Sequence, residues 1–268
     1  MGRESAAEHL HRFEGFFSGG NIIDREREII YSTLSPPALF TAYDTAPAGA
    51  PPASPPTQFS ADRIWPLYQP GWLRTDYHAL HPSHYRKAPA FPDGAQNFLH
   101  EIQAYELFRD RAQHPNLPEY FGCVVDQGYV VDLIVKEYPR TLAQAVESGD
   151  LEHRDDIMAQ LEDVIKYVHS CGIAHNDISP WNIVLTSDLR PILIDFDTAR
   201  PVGTPLRGLD KLGTPGFRNG GKDLTLSAFS NDLYSLGAIA RYMRDGVVID
   251  EASVTVPDVD KADGGKCM

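Results

Sequence analysis

The stretch His175-Asn176-Asp177-Ile178-Ser179-Pro180-Trp181-Asn182, followed by Asp195-Phe196-Asp197, decides how this chain reads. It comes after the most regular helical pattern in the sequence, Asp155 to Cys171. There Ile157, Leu161, Val164, Ile165 and Val168 recur along one side, and Gly172 stands just past the end as a stop. Two short apolar runs follow, Ile183-Val184-Leu185 and Ile192-Leu193-Ile194, with a turn over Thr186 to Pro191. That pattern predicts a β-hairpin, which folds Asp195 back beside Asn182. Asp177 is placed to accept a hydrogen bond from an incoming hydroxyl and orient it. Asn182 and Asp195 offer hard oxygen atoms, the donors that Mg²⁺ prefers. Phosphoryl transfer has these two needs: a nucleophile held in line and a metal to neutralise phosphate charge.

Upstream, Asn97 to Arg111 predicts a helix, because Phe98, Ile102, Tyr105 and Phe108 recur at steps of three and four. Tyr120 to Val125 and Gly128 to Val135 read as strands joined by a turn at Asp126-Gln127-Gly128. Ile64 to Tyr68, Trp72 to Leu80 and His84 to Ala90 read as short β-like pieces. Thr141 to Glu147 starts a short helix, and Asn231 to Met243 a longer one. Thr45 to Thr57, TAPAGAPPASPPT, holds five prolines and reads as a semi-rigid linker. Ahead of it, residues 1–44 form an extension in which Glu8 to Phe17 and Ile22 to Tyr31 are expected as short helices. The expected domain runs over 58–245, with a β-rich N-lobe at 58–138 and a helical C-lobe at 139–245. The polar, acidic residues 246–268 are expected to be disordered. The fold class is α+β and two-lobed.

Composition narrows the function classes. The net charge of -13 argues against general affinity for nucleic acid or an anionic membrane surface. Three widely spaced cysteines, Cys123, Cys171 and Cys267, give neither a disulfide framework nor a zinc pattern, so a reducing, intracellular and cytoplasmic setting is expected. Met1 to Ser5 opens no secretory leader, Ala6 breaks the myristoylation pattern, and Cys267 is misplaced for prenylation. The histidines His9, His11, His81 and His84 lack a convincing third ligand for a metal.

At HNDISPWN and DFD the chain resembles the eukaryotic-type protein kinase family, whose catalytic loop is H-R-D-L-x-x-x-N and whose metal motif is D-F-G. The resemblance extends from about Ile64 to Arg244. Lys87, at the end of Tyr85-Arg86-Lys87, is similar to the lysine that holds ATP phosphates. Glu101 is similar to the helix glutamate that pairs with it. His114-Pro115-Asn116-Leu117 resembles the turn before an N-lobe strand, and Val135 to Tyr138 the hinge, with Glu137 and Pro139 at the adenine. Gly213 to Phe217 resembles the end of the activation segment. Asp232 to Gly237 resembles the C-lobe helix whose aspartate ties down the catalytic loop. The resemblance implies a two-lobed kinase-like fold, with ATP and Mg²⁺ as cofactors. It implies Asp177, Lys87 and Glu101 as catalytic residues, Asn182 and Asp195 as metal ligands, and His175, Thr214 and Asp232 as structural supports.

Several positions depart from that pattern. No G-x-G-x-x-G precedes Lys87, since Gly71 is the one glycine between 58 and 87, and Gly15 to Gly20 lies beyond the linker. Without those glycines a nucleotide is held differently or poorly. Asn176 replaces the arginine that receives an activation-loop phosphate, so phosphorylation of Thr204 or Thr214 is not expected to act as an activating switch. Ser179 replaces a lysine, and Asp197 a glycine, where it either joins the metal shell or stiffens the segment. Pro139 has no N–H to offer an adenine. Phe217 to Gly220 stand where A-P-E is expected, and little chain follows Met243, so a truncated C-lobe is expected, with a protein partner covering its exposed face.

Three readings follow. The first is an ATP-dependent serine/threonine protein kinase, supported by Thr214. The second is a pseudokinase scaffold, supported by the missing glycine loop. The third is a small-molecule kinase of the aminoglycoside-phosphotransferase type, suggested by Ile194 to Ala199.

Overall fold

The chain is two-lobed in the computed structural model, which describes residues 27–34, 37–44, 57–76, 81–90, 94–149, 151–206, 213–218 and 225–246. The expected helix at Glu8 to Phe17, most of the linker and the acidic tail lie outside the described residues.

The first elements are strands β1 (Arg27–Leu34), β2 (Pro37–Asp44) and β3 (Thr57–Ser60), which form one antiparallel sheet in that order. The helix expected over Ile22 to Tyr31 is therefore corrected: Tyr31 pairs with Phe40 in a ladder. Ile29, Ile30, Tyr31 and Thr33 are β-branched or aromatic and suit a pleated surface better than a helix. Thr57, read as the linker's last residue, pairs with Thr41. Ile64 closes the short helix α1 (Ala61–Ile64) instead of opening a strand.

The N-lobe sheet has the order β4 (Arg74–Thr75), β6 (Tyr120–Asp126), β7 (Tyr129–Lys136), β5 (His84–Lys87). Strand β6 turns into β7 through Gln127 and Gly128, which both take positive φ, 47° and 87°. A two-residue turn of that hand matches the twist of a hairpin. Of the β-like run Trp72 to Leu80, Arg74 and Thr75 enter the ladder, and 77–80 lie outside the described residues.

Helix α2 (Ala95–Arg109) buries Phe98, Ile102, Tyr105 and Phe108 as its periodicity requires, and also buries Glu101 and Glu106. In the C-lobe, strand β8 (Arg140–Thr141) leads into α3 (Leu142–Glu147) through a capping box between Thr141 and Gln144. Helix α4 (Arg154–Ser170) buries Ile157, Leu161, Val164, Ile165 and Val168, and Gly172 follows it at φ 81°. Strand β9 (Ile173–Ala174) runs into the catalytic-loop sequence. The hairpin β10 (Ile183–Leu185) with β11 (Pro191–Leu193) pairs Ile183 with Leu193. A 3-10 turn over Phe196–Thr198, strand β12 (Arg200–Pro201) paired with β9, and α5 (Phe229–Asp245) complete the described chain. Asn116, in the turn after α2, ties the lobes: its Nδ2 donates to Pro191 O at 2.7 Å, and Leu193 N donates to its carbonyl at 2.9 Å.

Candidate active site

The hairpin delivers Asp195 to the lobe interface, where it meets Lys87 from β5 and Glu101 from α2. Lys87 Nζ lies 2.6 Å from Asp195 Oδ1 and 2.7 Å from Glu101 Oε2. Glu101 is 1% exposed, whereas the Lys87 and Asp195 side chains stay about a quarter open, at 28% and 22%. The pair is thus closed at the helix end and open at the cleft. Burial alone would push the Lys87 amine down, but the Asp195 and Glu101 carboxylates outweigh it and hold the ammonium well above the usual lysine range. Burial pushes the Glu101 carboxyl up, against the pull of Lys87. For a group whose folded pKa is raised, the stabilisation is complete below the unfolded value, near 10.5 for lysine, and is lost only as pH rises through the folded one. At pH 9, an amine-acylating reagent is therefore expected to modify Lys87 more slowly than the exposed Lys136, because the raised affinity for its proton leaves less free amine. Lys136 is the internal reference, with a side chain 47% exposed. Peptide mapping over a time course reads both sites, and equal rates would contradict the ion-paired arrangement.

Asp177 is buried, and both of its carboxylate oxygens are engaged. Thr214 Oγ1 donates to Oδ1 at 2.6 Å, and Asn182 Nδ2 donates to Oδ2 at 3.1 Å and to Asp177 O at 2.9 Å. These bonds use the Asn182 amide nitrogen and leave its side-chain oxygen as an acceptor. His175 is fully buried: its Nε2 donates to Ile194 O at 3.0 Å, and its Nδ1 accepts from Asp177 N at 3.3 Å. Its ring packs 4.8 Å from Phe196, which in turn meets Tyr105 and Phe108 of α2 at 5.6 and 5.0 Å. This aromatic contact joins the turn at Asp195 to Asp197 to the helix that carries Glu101. Asp232 of α5, fully buried, accepts from His175 N at 2.9 Å and Asn176 N at 2.8 Å.

The remaining predicted positions stand apart from this cluster. Glu137 and Pro139 are both exposed in the hinge, and the Glu137 N–H is already donated to Ser83 O at 2.7 Å. Gly71 lies beside α2, where its carbonyl accepts from Arg109 Nη2 at 3.1 Å, so it does not form a phosphate loop over Lys87. The left-handed residue of the metal motif is Asp195, at φ 66°. Asp197 sits inside the 3-10 turn, where nothing demands glycine.

Three contributors make contacts that had no sequence signal. His169 Nε2 lies 2.8 Å from Asp232 Oδ2, adding a third partner to that carboxylate. Asn176, at φ 64°, donates through Nδ2 to Ala174 O, Thr198 O and Ser227 Oγ, and accepts from Asn231 Nδ2 at 3.1 Å. Arg200, buried, donates to Asp197 O, Ala199 O and Asn97 Oδ1. Each depends on contacts between distant segments that no local spacing encodes.

The protein kinase domain profile matches residues 84–251, from β5 onward. A serine/threonine-protein kinase, PknA of Nostoc sp., is 39% identical over 169 residues, covering 54% of this chain and 30% of its own. Serine/threonine-protein kinase C of Synechocystis sp. is 28% identical over 189 residues, covering 66% of this chain and 31% of its own. Among solved structures, the yeast RNA polymerase II CTD kinase complex CTDK-1 aligns with a TM-score of 0.49 at 17% identity, over 62% of this chain and 55% of that one. The chain belongs to the protein kinase domain family, and it spans about a third of the length of these two curated relatives. Among the described residues no helix is long and apolar enough to cross a membrane.

Proposed function

We propose that this chain is an ATP- and Mg²⁺-dependent serine/threonine protein kinase. The observation that carries the proposal is the convergence of Lys87, Glu101 and Asp195 within hydrogen-bond distance, drawn from three elements of two lobes. The donor set fits the cofactors: Asp195 and Asn182 are hard oxygen ligands suited to Mg²⁺, and Lys87 is a cation open to the cleft. Bound Mg-ATP would supply the transferable phosphoryl group. Lys87, braced by Glu101, would hold its phosphates. Asp177 would orient the acceptor hydroxyl, with Thr214 and Asn182 fixing the angle of its carboxylate. Near Asp177, Thr214 also supports a protein hydroxyl as acceptor over a small molecule, because it belongs to a segment that reaches the site from the C-lobe side. No glycine-rich loop precedes β5 among the described residues, so the phosphate grip rests on Lys87 to an unusual degree. Purified protein incubated with Mg²⁺ and labelled ATP, alone and with a serine- and threonine-containing acceptor protein, tests this. Label on serine or threonine is expected. No transfer, together with no ATP-dependent rise in Tm at millimolar nucleotide, would favour the scaffold reading instead.

The activation segment carries its own anchors. Asn176 bonds Thr198 and Ser227, and Arg200 bonds Asn97. These contacts span the places where a phosphate would otherwise bridge basic side chains. Turnover is therefore expected to stay within about twofold after phosphatase treatment, and Thr204→Ala is expected to behave like wild type. A clear rise in activity on stoichiometric phosphorylation of Thr204 or Thr214 would contradict this.

A further inference from the structure

Residues Ile64 to Thr75 precede the matched family region and bind both of its N-lobe elements. On the sheet side, Val130 N donates to Pro66 O at 2.9 Å, Tyr68 N to Gly128 O at 2.9 Å, and Cys123 N to Leu73 O at 2.8 Å. Strand β4 thereby lies parallel to β6. The approach is close: a Cβ at Gly122, whose φ is 112°, would stand 2.8 Å from Leu73 O. On the helix side, Leu73 N donates to Glu106 Oε1 at 2.7 Å, and Arg109 Nη2 donates to Gly71 O. Glu106 is further held by Arg109 Nε and Tyr120 OH, each at 2.7 Å. Its side chain is 8% exposed, so the carboxylate depends on these donors.

Glu101 and Glu106 share α2 but project about 140° apart around its axis, at 100° per residue. One is fixed by Lys87 in the cleft and the other by the strap Pro66 to Thr75. Two anchors on separate sides of a helix set both its rotation and its slide. From Glu106 the contact continues through Tyr120, which stacks on Tyr105 at 5.4 Å, and Tyr105 meets Phe196. We propose that Glu106 is a positioning residue through which the strap, lying outside the matched region, holds α2 inward so that Glu101 meets Lys87. The catalytic consequence rests on the reading of that pair as the ATP-phosphate grip; the positioning itself does not.

The test uses Glu106→Ala and, in case that variant folds poorly, Glu106→Gln, which keeps an oxygen acceptor but loses the charge that holds Arg109. Hydrogen exchange of the α2 amides reads the seating of that helix, and with it the position of Glu101, without needing activity. The expected result is hydrogen exchange over Leu99 to Tyr105 faster than wild type by about threefold or more, because the helix has lost one of its two anchors. Turnover is expected to fall about tenfold or more, with the KM for acceptor protein little changed. The smaller change belongs to Glu106→Gln. A lowered Tm with unchanged α2 exchange would overturn the proposal and leave Glu106 as a fold contact alone. Faster α2 exchange in a protein whose wild type transfers no phosphate would sustain the positioning and refute the kinase reading.

Discussion

Asp177→Asn is expected to lower phosphoryl transfer by about 10²- to 10⁴-fold, the range typical for loss of a general base, while ATP binding stays near wild type. Its carboxylate takes one hydrogen bond on each oxygen, from Thr214 and Asn182. The asparagine is nearly isosteric, but it can keep only one oxygen acceptor and must turn an NH₂ toward a neighbour that itself donates. The acceptor hydroxyl then meets no anion able to receive its proton. Asp195→Asn is the contrasting variant. It removes the carboxylate that pairs with Lys87 at 2.6 Å and that serves as the metal ligand in the proposal, so both Mg²⁺-dependent nucleotide binding and turnover are expected to fall. Calorimetric titration with Mg-ATP, paired with a transfer assay, separates the two. Equal loss of nucleotide binding in both variants would refute the division of labour between Asp177 and Asp195. Full turnover in Asp177→Asn would remove the aspartate from the chemistry.

The C-lobe site was legible because its residues come in short contiguous motifs whose order and spacing carry chemistry. Lys87 and Glu101 were legible by resemblance to the family, and the structure sets them 2.7 Å apart. Glu106 stands five residues after Glu101, but that spacing says nothing of its partners. Leu73 contributes a backbone N–H and Gly71 a carbonyl, groups that every residue type possesses, so no letter of the sequence announces the strap. The N-terminal strands were misread for a different reason. Short apolar runs such as Ile29 to Tyr31 fit a helix or a strand until a pairing partner is known. That partner, Phe40 to Ala42, lies beyond Pro36 and Pro37 in the sequence. The anchors at Asn176 and Arg200 join segments more than twenty residues apart and follow from topology alone.

Asp232→Ala is expected to cost about 2–6 kcal/mol of folding stability, the largest effect on the fold of any single change considered. Asp232 is fully buried and accepts from two backbone N–H groups of the catalytic loop and lies 2.8 Å from His169 Nε2. Truncation leaves His175 N and Asn176 N buried without acceptors, and each such orphan costs about 1–3 kcal/mol. His169 adds less, because its ring stacks on Phe229 near the surface and is able to recruit water. Asn176 cannot relax to compensate, since its left-handed backbone and its side chain are held by Ala174, Thr198, Ser227 and Asn231. Asp232→Asn keeps one acceptor oxygen and faces the other N–H with an NH₂, so it is expected to lose at least the cost of one orphan donor. Urea unfolding followed by tryptophan fluorescence gives both values, with a constant m-value required for the comparison. Because the loop carries Asp177, turnover measured on the folded fraction should drop as well. A loss below about 1 kcal/mol in Asp232→Ala would mean that water or another group replaces the carboxylate, and the loop would then owe its shape to the Asn176 network instead.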